Sequence, residues 1–456
     1  MSLRDRLIGI KKSEDKVRDS AKKDDGSIVR VLKRSVQADP YQELKASIHR
    51  KLVERLDLSA LGAIGRDKLE EEIRQISEDL INEEGVPLSG ADRDRLLMEI
   101  HHETLGLGPL EPLLHDPDIT DILVNGPGQV YIEKFGKLEK TNTVFRNDAH
   151  LMQIIDRIIS KVGRRIDEAS PYVDARLPDG SRVNAIIPPI ALDGPTISIR
   201  RFGKEYLKLS DLLSLGALSP QAAEVLQGAV KARINMIISG GTGSGKTTLL
   251  NVLSDFIPSR ERIVTIEDSA ELHLKQEHVV RLETRPPNIE GRGEITQRNL
   301  VKNSLRMRPD RIILGEVRGE EALDMLQAMN TGHDGSISTI HSNSPRDALS
   351  RLETMVLMAG MDLPQRAIRE QIASAIGIVV QLARMSDGTR KVIGISEIVG
   401  MEGDLISMQE IFHYSITGVA EDGKVLGEFK SNGIWPKFAD RFEKAGIRLS
   451  PTTFKT

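Results

Sequence analysis

Apolar residues recur with a helical period in the first quarter of the chain. The pattern runs over residues 44–56, 69–80 and 97–104, where positions on one face lie three or four residues apart. This spacing places one apolar stripe along each of three helices. Turns that contain Gly and Pro separate the three segments. The sequence therefore predicts a small bundle of amphipathic helices over residues 41–105.

Residues 1–40 are polar and show no sustained periodicity. Such a segment buries too little apolar surface to offset the entropy lost on ordering, so we expect a disordered tail. Its basic pairs, such as Lys22 and Lys23, leave open a contact with acidic lipids or a partner. The simpler interpretation is a charged segment that stays solvated.

Short strand patterns replace the helical period from residue 106 to residue 202. The strand segments are ITDILVN (119–125), QVYIEKF (129–135), VNAIIPP (183–189) and TISIRRF (196–202). Turns with Asn-Gly, Asp-Gly and Gly-Pro pairs separate them, and a helical run lies between the two pairs. We expect an α+β domain with a mainly antiparallel sheet.

After a linker at residues 203–209, apolar strands alternate with helical patterns up to about residue 420, which is typical of an α/β fold. The strands are near-continuous apolar runs, as in a parallel sheet covered on both faces. Two later strands have an antiparallel pattern. Residues 421–456 hold the single tryptophan and are expected to form a small terminal subdomain. The predicted fold class is a multidomain α/β protein.

The composition favours two or three globular domains over one. The 456 residues are 39% hydrophobic, 29% charged and carry a net charge of −4. We expect a cytoplasmic protein, because no apolar run reaches about 18 residues and the start lacks the apolar core of a signal peptide. The absence of cysteine excludes disulfides and thiolate metal sites. Balanced charge and 3% aromatic content predict no stable nucleic-acid partner.

The segment GGTGSGKTT, from Gly240 to Thr248, matches the phosphate-binding pattern G-x-x-x-x-G-K-T. Its glycines let consecutive N–H groups point at phosphate, and the following helix adds the positive end of its dipole. Lys246 is expected to contact the β- and γ-phosphates, and the Thr247 hydroxyl to ligate Mg²⁺. The predicted nucleotide-binding residues are Gly241, Thr242, Gly243, Ser244, Gly245, Lys246, Thr247 and Thr248. The chain is thus predicted to bind and hydrolyse a nucleoside triphosphate.

Carboxylates follow two of the predicted parallel strands. Glu316 ends RIILGE, and Glu267 and Asp268 end IVTIED. The carboxyl ends of parallel strands meet at one edge of a sheet, where ligands bind. Glu316 is predicted to hold the Mg²⁺ shell or to polarise the attacking water, and Asp268 is a second candidate for the metal site. For Glu267 and Asp268 the alternative is a helix cap or a pair of surface acids.

Two histidines and three arginines complete the candidate set. His341 ends the strand GSISTIH, where it could sense the γ-phosphate, whereas His333 precedes that strand and is expected to lie away from the binding edge. An arginine supplied from outside the core site raises phosphoryl-transfer rates by about 10³–10⁵. Arg182, Arg200 and Arg201 of the preceding domain are candidates, although any of them could be an ordinary surface arginine.

Four ordered segments resemble motifs of the type II/IV secretion ATPases. They are GGTGSGKTTLLN (240–251, Walker A), TIEDSAELHL (265–274, Asp box), LRMRPDRIILGEVRGEEA (305–322, Walker B) and TGHDGSISTIHSNSP (331–345, His box). The segment GLGPLEPLLHDPDITDILVNGPGQVYIEKFGKL (106–138) resembles the N-terminal domain of the CpaF-type branch, which serves Flp/Tad pilus assembly. The resemblance covers about residues 41–415.

This resemblance implies a PAS-like α+β domain and a RecA-like ATPase domain in a ring-shaped homohexamer that uses ATP and Mg²⁺. Glu316 would take the catalytic Walker B role, Glu267 the Asp box role, and His333 and His341 the His box positions. The three arginines named above become candidates for arginine fingers. The hexamer would dock on platform proteins at the cytoplasmic face of the inner membrane, where domain motion drives pilin insertion.

Two differences from the motifs of other branches narrow the part of the family that the chain resembles. The Asp box reads EDSAEL rather than EDP, and the four-cysteine zinc module common in type II secretion ATPases is missing. Both favour the CpaF branch and its close relative, the ATPase of conjugative-type secretion systems. The long helical N-terminal extension favours CpaF over that relative.

Other functions stay open at this point. A nucleic-acid motor would need a basic channel or DNA-stimulated turnover, and the balanced charge weighs against it. A nucleotide-gated scaffold would bind ATP with little turnover, and the intact Lys246, Glu267 and Glu316 weigh against that. The sequence leaves open whether a motor would extend a pilus, retract it or do both.

Overall fold

A computed structural model describes residues 40–55, 66–201, 207–287, 292–450 and 452–454. All of the predicted tail except Pro40, and most of the predicted linker, lie outside these residues. The chain divides into two compact units between Leu105 and Gly106. Within the described ranges, no helix is long and apolar enough to cross a lipid bilayer.

Three helices make up the first unit. They are α1 (Pro40–Arg55), α2 (Arg66–Glu84) and α3 (Gly90–Leu105). Each lies where the apolar periodicity predicts it, although Leu56 is outside the described residues. Their shared core contains Ile48, Leu52, Ile73, Leu80, Ile81, Leu96 and Ile100. Lys45 is buried as well, with its Nζ 3.1 Å from Glu99 Oε2 and 3.6 Å from Glu103 Oε1, so its charge is balanced inside the unit.

The second unit opens with a small α+β domain. After a short 3₁₀ turn come α4 (Glu111–His115), β1 (Ile119–Asn125), β2 (Val130–Lys134), β3 (Lys137–Lys140), α5 (Asp148–Lys161), β4 (Tyr172–Arg176), β5 (Arg182–Ile186) and β6 (Thr196–Arg200). The strands form one antiparallel sheet in the order β3-β2-β1-β6-β5-β4, as the pattern predicts. Strands β3 and β4 are not among the predicted strands. All four residues of β3 are exposed, and β4 has one buried residue, so neither carries a strong apolar signal.

A larger domain follows, and it alternates strands with helices. Its first half contains α6 (Leu209–Ser214), α7 (Pro220–Lys231), β7 (Met236–Gly240), α8 (Lys246–Ser254), β8 (Ile263–Glu267), β9 (Val279–Glu283), α9 (Gln297–Ser304) and β10 (Arg311–Val317). Its second half contains α10 (Glu321–Asn330), β11 (Ile337–Ile340), α11 (Pro345–Met358), α12 (Gln365–Ala375), β12 (Ile378–Arg384), β13 (Arg390–Glu402), β14 (Leu405–Val419), β15 (Val425–Ser431) and α13 (Ala439–Lys444).

Nine strands of this domain form one sheet in the order β15-β14-β13-β12-β7-β11-β10-β8-β9. The six strands from β12 to β9 pair in parallel, and β13, β14 and β15 extend the sheet in antiparallel fashion. Ile238 of β7 packs into the core on one face and Ile237 into the core on the other. The predicted parallel sheet, covered on both faces, is confirmed. Burial on both faces also explains the near-continuous apolar runs.

The expectation of a small terminal subdomain is wrong. Strand β15 joins the edge of the main sheet, and Phe438 and Phe442 are buried in its core. Phe442 packs so closely on α7 that a Cβ at Gly228 would lie 2.6 Å from its ring. The C-terminal segment therefore completes the larger domain, because the apolar side chains that a separate core would need are already used there.

Glu397 of β13 fastens this segment, and its removal is our first prediction. The buried carboxylate accepts hydrogen bonds from the backbone of Phe438 (2.8 Å) and Lys437 (3.1 Å) and from Gln409 Nε2 (2.6 Å). Glu397→Ala is expected to lower the free energy of unfolding by about 2 kcal/mol, since buried donors lose their acceptor. Chemical denaturation measures the loss, and the exposed Glu421→Ala is the control. Equal midpoints for the two variants would contradict the assignment.

Candidate nucleotide-binding site

The predicted phosphate-binding loop joins β7 to α8 at the carboxyl edge of the parallel strands. Gly243 and Gly245 have φ angles of +68° and +96°, which side chains other than glycine rarely adopt. Gly240 has no room for a side chain, since a Cβ there would lie 2.7 Å from the carbonyl oxygen of Leu382. The glycines of the motif are therefore required by the backbone path, as the motif predicts.

Lys246, at the start of α8, is buried and turns back over its own loop. Its Nζ donates hydrogen bonds to the carbonyl oxygens of Gly240 (2.9 Å) and Gly241 (3.0 Å) and lies 3.2 Å from His341 Nε2. Burial lowers the pKa of Lys246 to about 8, against the opposing influence of Glu316. The ammonium group is thus held at the loop with few strong partners, in a position to exchange carbonyl contacts for phosphate.

Glu316 lies near the end of β10, beside Lys246 and His341. Its Oε1 is 3.1 Å from His341 Nε2, the same nitrogen that contacts Lys246. Burial and the nearby Lys246 charge lower the pKa of His341, which favours the neutral ring. A neutral Nε2 either accepts from Lys246 or donates to Glu316, but cannot do both. His341 lies at the carboxyl end of β11, as the sequence predicts, and the structure places it between Lys246 and Glu316.

Glu267 ends β8 and has only 3% of its surface exposed. Its Oε2 accepts hydrogen bonds from the backbone of Glu271 (2.7 Å) and Leu272 (2.9 Å), whereas its buried Oε1 has no hydrogen-bond partner. Burial raises the pKa of Glu267 to about 7, although the two backbone bonds act in the opposite direction. The side chain therefore caps the turn that follows through Oε2, while Oε1 is buried without a hydrogen-bond partner.

Arg318 is the residue that the sequence analysis missed. Its Nη2 and Nε lie 2.6 Å and 3.0 Å from Glu316 Oε2, and its Nη1 lies 3.4 Å from Asp268 Oδ2. Arg318 comes directly after the last residue of β10, so no strand periodicity points to it. Glu316 is thus held between Arg318 and His341 in this structure.

The small domain closes one side of a cleft of about 630 Å³ above the loop. Arg182, Arg200 and Arg201 all line this cleft together with Thr242–Thr248 and the catalytic candidates. Arg200 is exposed there, and its charge contributes to lowering the pKa of Lys246. Arg182 pairs with Glu271 at 2.7 Å. Arg201 donates to the carbonyl oxygens of Asp116 and Ile119 in its own domain.

His333 does not line the cleft. It precedes β11, at the end of the strand away from the loop, and its Nδ1 lies 3.3 Å from the carbonyl oxygen of Ala328. This agrees with the expectation from its place before the strand. The geometry gives no support to a catalytic role for His333, which the His box resemblance implied.

The residues that line the cleft fit a Mg²⁺ ion bound together with nucleotide. The hydroxyl of Thr247 and the carboxylates of Glu316 and Asp268 all line it, and oxygen atoms are the ligands that Mg²⁺ prefers. Among the described residues, no group of three or more His, Cys, Asp or Glu side chains forms a metal cluster. Mg²⁺ at nucleotide sites is usually held by one or two protein oxygens plus substrate phosphates.

These features define a P-loop nucleotide-binding enzyme. Residues 103–420 match the family described as "Type II/IV secretion system protein", and the chain belongs to that family. The family membership and the intact loop make the chain an ATPase.

Several known proteins are similar to this chain. A protein of Mycobacterium tuberculosis assigned to conjugal transfer is 36% identical over 336 residues, which cover 72% of this chain and 94% of that protein. The conjugal transfer protein TrbB of Rhizobium radiobacter is 33% identical, over 68% of this chain and 92% of its own. The crystal structure of the VirB11 ATPase from the Brucella suis type IV secretion system, with sulphate, is 30% identical and has a TM-score of 0.34. It covers 63% of this chain and 95% of that one.

The two shifted pKa values predict how hydrolysis depends on pH. Glu267 gains its charge as pH rises through about 7, and Lys246 loses its charge as pH rises through about 8. If both must be charged, kcat/KM for ATP follows a narrow bell, because that ratio reports groups of the free enzyme. Steady-state phosphate release between pH 5.5 and 9.5 (roughly the range in which these groups titrate) measures it. Glu267→Gln should lose the acidic limb; an unchanged acidic limb would show that another group causes it.

Proposed function

We propose that this ATPase is a motor in which hydrolysis moves the small domain relative to the nucleotide-binding domain. The observation that carries the proposal is the composition of the cleft wall. The phosphate-binding loop lies on one side, and Arg182 and Arg200 of the small domain lie on the other. Bound triphosphate would attract both sides, and loss of the γ-phosphate would weaken that attraction. In this proposal the two domains are RecA-like and PAS-like.

The catalytic roles follow from the charges around the loop. Lys246 would exchange its contacts with loop carbonyls for β- and γ-phosphate oxygens. Glu316 would orient and polarise the attacking water once Arg318 turns from its carboxylate to the phosphate. Mg²⁺, when bound, would neutralise charge on the β- and γ-phosphates. His341 would report γ-phosphate occupancy by shifting between its two partners.

Arg200 is the small-domain arginine best placed to act on the γ-phosphate. It is exposed in the cleft, and its field already reaches Lys246. Arg182 is engaged with Glu271, so it would have to exchange that partner. Arg201 supports the start of β1 and the turn before it through the backbone carbonyls of Ile119 and Asp116, and we assign it a structural role.

We further propose that the motor assembles a Flp/Tad pilus as a homohexamer at the cytoplasmic face of the inner membrane, docked on platform proteins. The CpaF-type sequence of residues 106–138 and the three-helix unit support this, since that unit lies before the family region at 103–420. A conjugative-type secretion system is the second candidate. The names of the relatives from Mycobacterium tuberculosis and Rhizobium radiobacter favour it.

Glu316→Gln tests the hydrolytic step. Phosphate release should fall about 10²- to 10⁴-fold, the usual loss when a positioned acid–base group is removed. Affinity for fluorescent ADP should change little, because the loop and Lys246 remain. Glu421→Gln serves as the control, because Glu421 is exposed and lies about a hundred residues after Glu316 in the sequence. Equal rates for Glu316→Gln and wild type would exclude the motor mechanism.

The same variant, placed on the chromosome of the source organism, separates the two candidate machines. For a Flp/Tad motor, surface pili disappear in electron micrographs while the pilin accumulates in the inner membrane. For a conjugative motor, DNA transfer to a recipient is lost while pili of the Flp type persist. Retention of both pili and transfer would contradict both assignments.

A further inference from the structure

Two arginines lie beside the phosphate-binding loop, on the side of β7 opposite to Glu316. Arg384 ends β12 and Arg390 begins β13, and the two residues face each other across the antiparallel ladder. Arg390 Nε donates a hydrogen bond to the carbonyl oxygen of Gly243 at 3.2 Å, and both arginines line the nucleotide cleft. A Cβ built on Gly243 would lie 3.5 Å from Arg384 Nη1. Both side chains are therefore within reach of the tip of the loop.

The same arginines contact the small domain. Arg384 Nη2 donates to the carbonyl oxygen of Gly136, in the turn between β2 and β3. Glu133 Oε1 lies 3.5 Å from Arg384 Nη2 and 4.0 Å from Arg390 Nη2. The side chain of Glu133 is 19% exposed and lines the cleft as well. One carboxylate of the small domain thus sits between two guanidinium groups beside the loop.

The charges at this place do not balance. In the part of the chain that the structure describes, Glu133 is the one carboxylate that pairs with these two guanidinium groups, so the three side chains keep a net positive charge next to the site for a polyphosphate. A nucleotide carries several negative charges and accepts bidentate bonds from arginine. It would therefore compete with Glu133 for the same donors.

We propose that Arg384 and Arg390 bind the phosphates of the nucleotide in competition with Glu133. This rests on the proposed function and adds a second contact that responds to nucleotide. Nucleotide binding draws the arginines from Glu133 to phosphate and releases the turn at Phe135 and Gly136 from the β12–β13 hairpin. Nucleotide therefore strengthens the attraction between the loop and Arg182 and Arg200. At the same time it weakens the contacts on the opposite side of the small domain.

Equilibrium binding tests the competition without any need for hydrolysis. The probe is a fluorescent, non-hydrolysable ATP analogue with Mg²⁺. Glu133→Gln should bind it about 2- to 5-fold more tightly, as expected for loss of a partly exposed ion pair. Arg384→Gln and Arg390→Gln should each bind it about 10-fold more weakly. In the Glu133→Gln background the gain should vanish when both arginines are also changed to glutamine.

Glu139→Gln is the matched control. Glu139 lies on β3 of the same hairpin, is exposed, and carries the same charge, so its removal should leave affinity unchanged. A gain of the same size in both glutamate variants would reduce the effect to net charge and overturn the proposal. Unchanged or weaker binding by Glu133→Gln would also overturn it.

Hydrogen exchange of residues 130–140 tests the release of the turn. In the wild type the analogue should raise exchange there, and Glu133→Gln should show the raised exchange without nucleotide. No change in either case would exclude the release. The outcome is independent of the motor proposal, because an enzyme that hydrolyses ATP normally but lacks these effects would refute only the competition. Effects of the expected sign in a protein without turnover would refute only the motor.

Discussion

The parallel pairing of β7 with its two neighbours is the constraint on which the site depends. Gly240 lies opposite Leu382 on one side, and Ser239 lies opposite Ile340 on the other. This register brings His341 next to the loop and leaves no room for a Cβ at Gly240. A slip of one residue would turn every side chain of the strand to the opposite face. Burial of β7 on both faces resists such a slip, so the hydrophobic core fixes the geometry of the polar edge.

Loss of contact with water at the carboxyl edge of the parallel strands shifts the pKa values of the side chains that lie there. Burial lowers the pKa of Lys246 and raises that of Glu267, because each charged form loses contact with water. The two opposite shifts bring the pKa values of a basic and an acidic side chain in one cleft close to neutral pH. Most of the other charges compensate one another in pairs, as Arg318 does with Glu316. A phosphate group that enters the cleft therefore meets donors with weak or exchangeable partners.

The sequence predicted the parts of the fold that follow from burial. Strands covered on both faces are read directly from apolar runs, and the loop from its glycines. Strand β3 could not be predicted in this way, because Lys137–Lys140 is wholly exposed and pairs through its backbone. The place of the C-terminal segment depends on a partner far along the chain, since Phe442 packs against Gly228. Local pattern carries no information about such a contact.

The candidate site likewise combines features that the local sequence pattern predicts with features that depend on packing between distant residues. Carboxylates and His341 were predicted correctly in position, since they end parallel strands and the sheet brings those ends together. The roles of the arginines were not predictable, because long side chains choose among partners that only the packed structure supplies. Arg201 turned to backbone carbonyls of its own domain, whereas Arg318 reached two acids at the site. Composition and spacing do not distinguish these outcomes.

The turn after β8 links the small domain to the buried acid. Arg182 pairs with the Glu271 side chain, and Arg176 Nη2 donates to the carbonyl oxygen of Ala270 at 2.6 Å. The backbone N–H of Glu271 in turn donates to Glu267, which favours the ionised carboxylate. A displacement of the small domain would therefore act on a turn whose hydrogen bonds oppose the effect of burial on the pKa of Glu267. The contacts of the small domain and the hydrogen bonds to Glu267 therefore meet in one turn, residues 268–272.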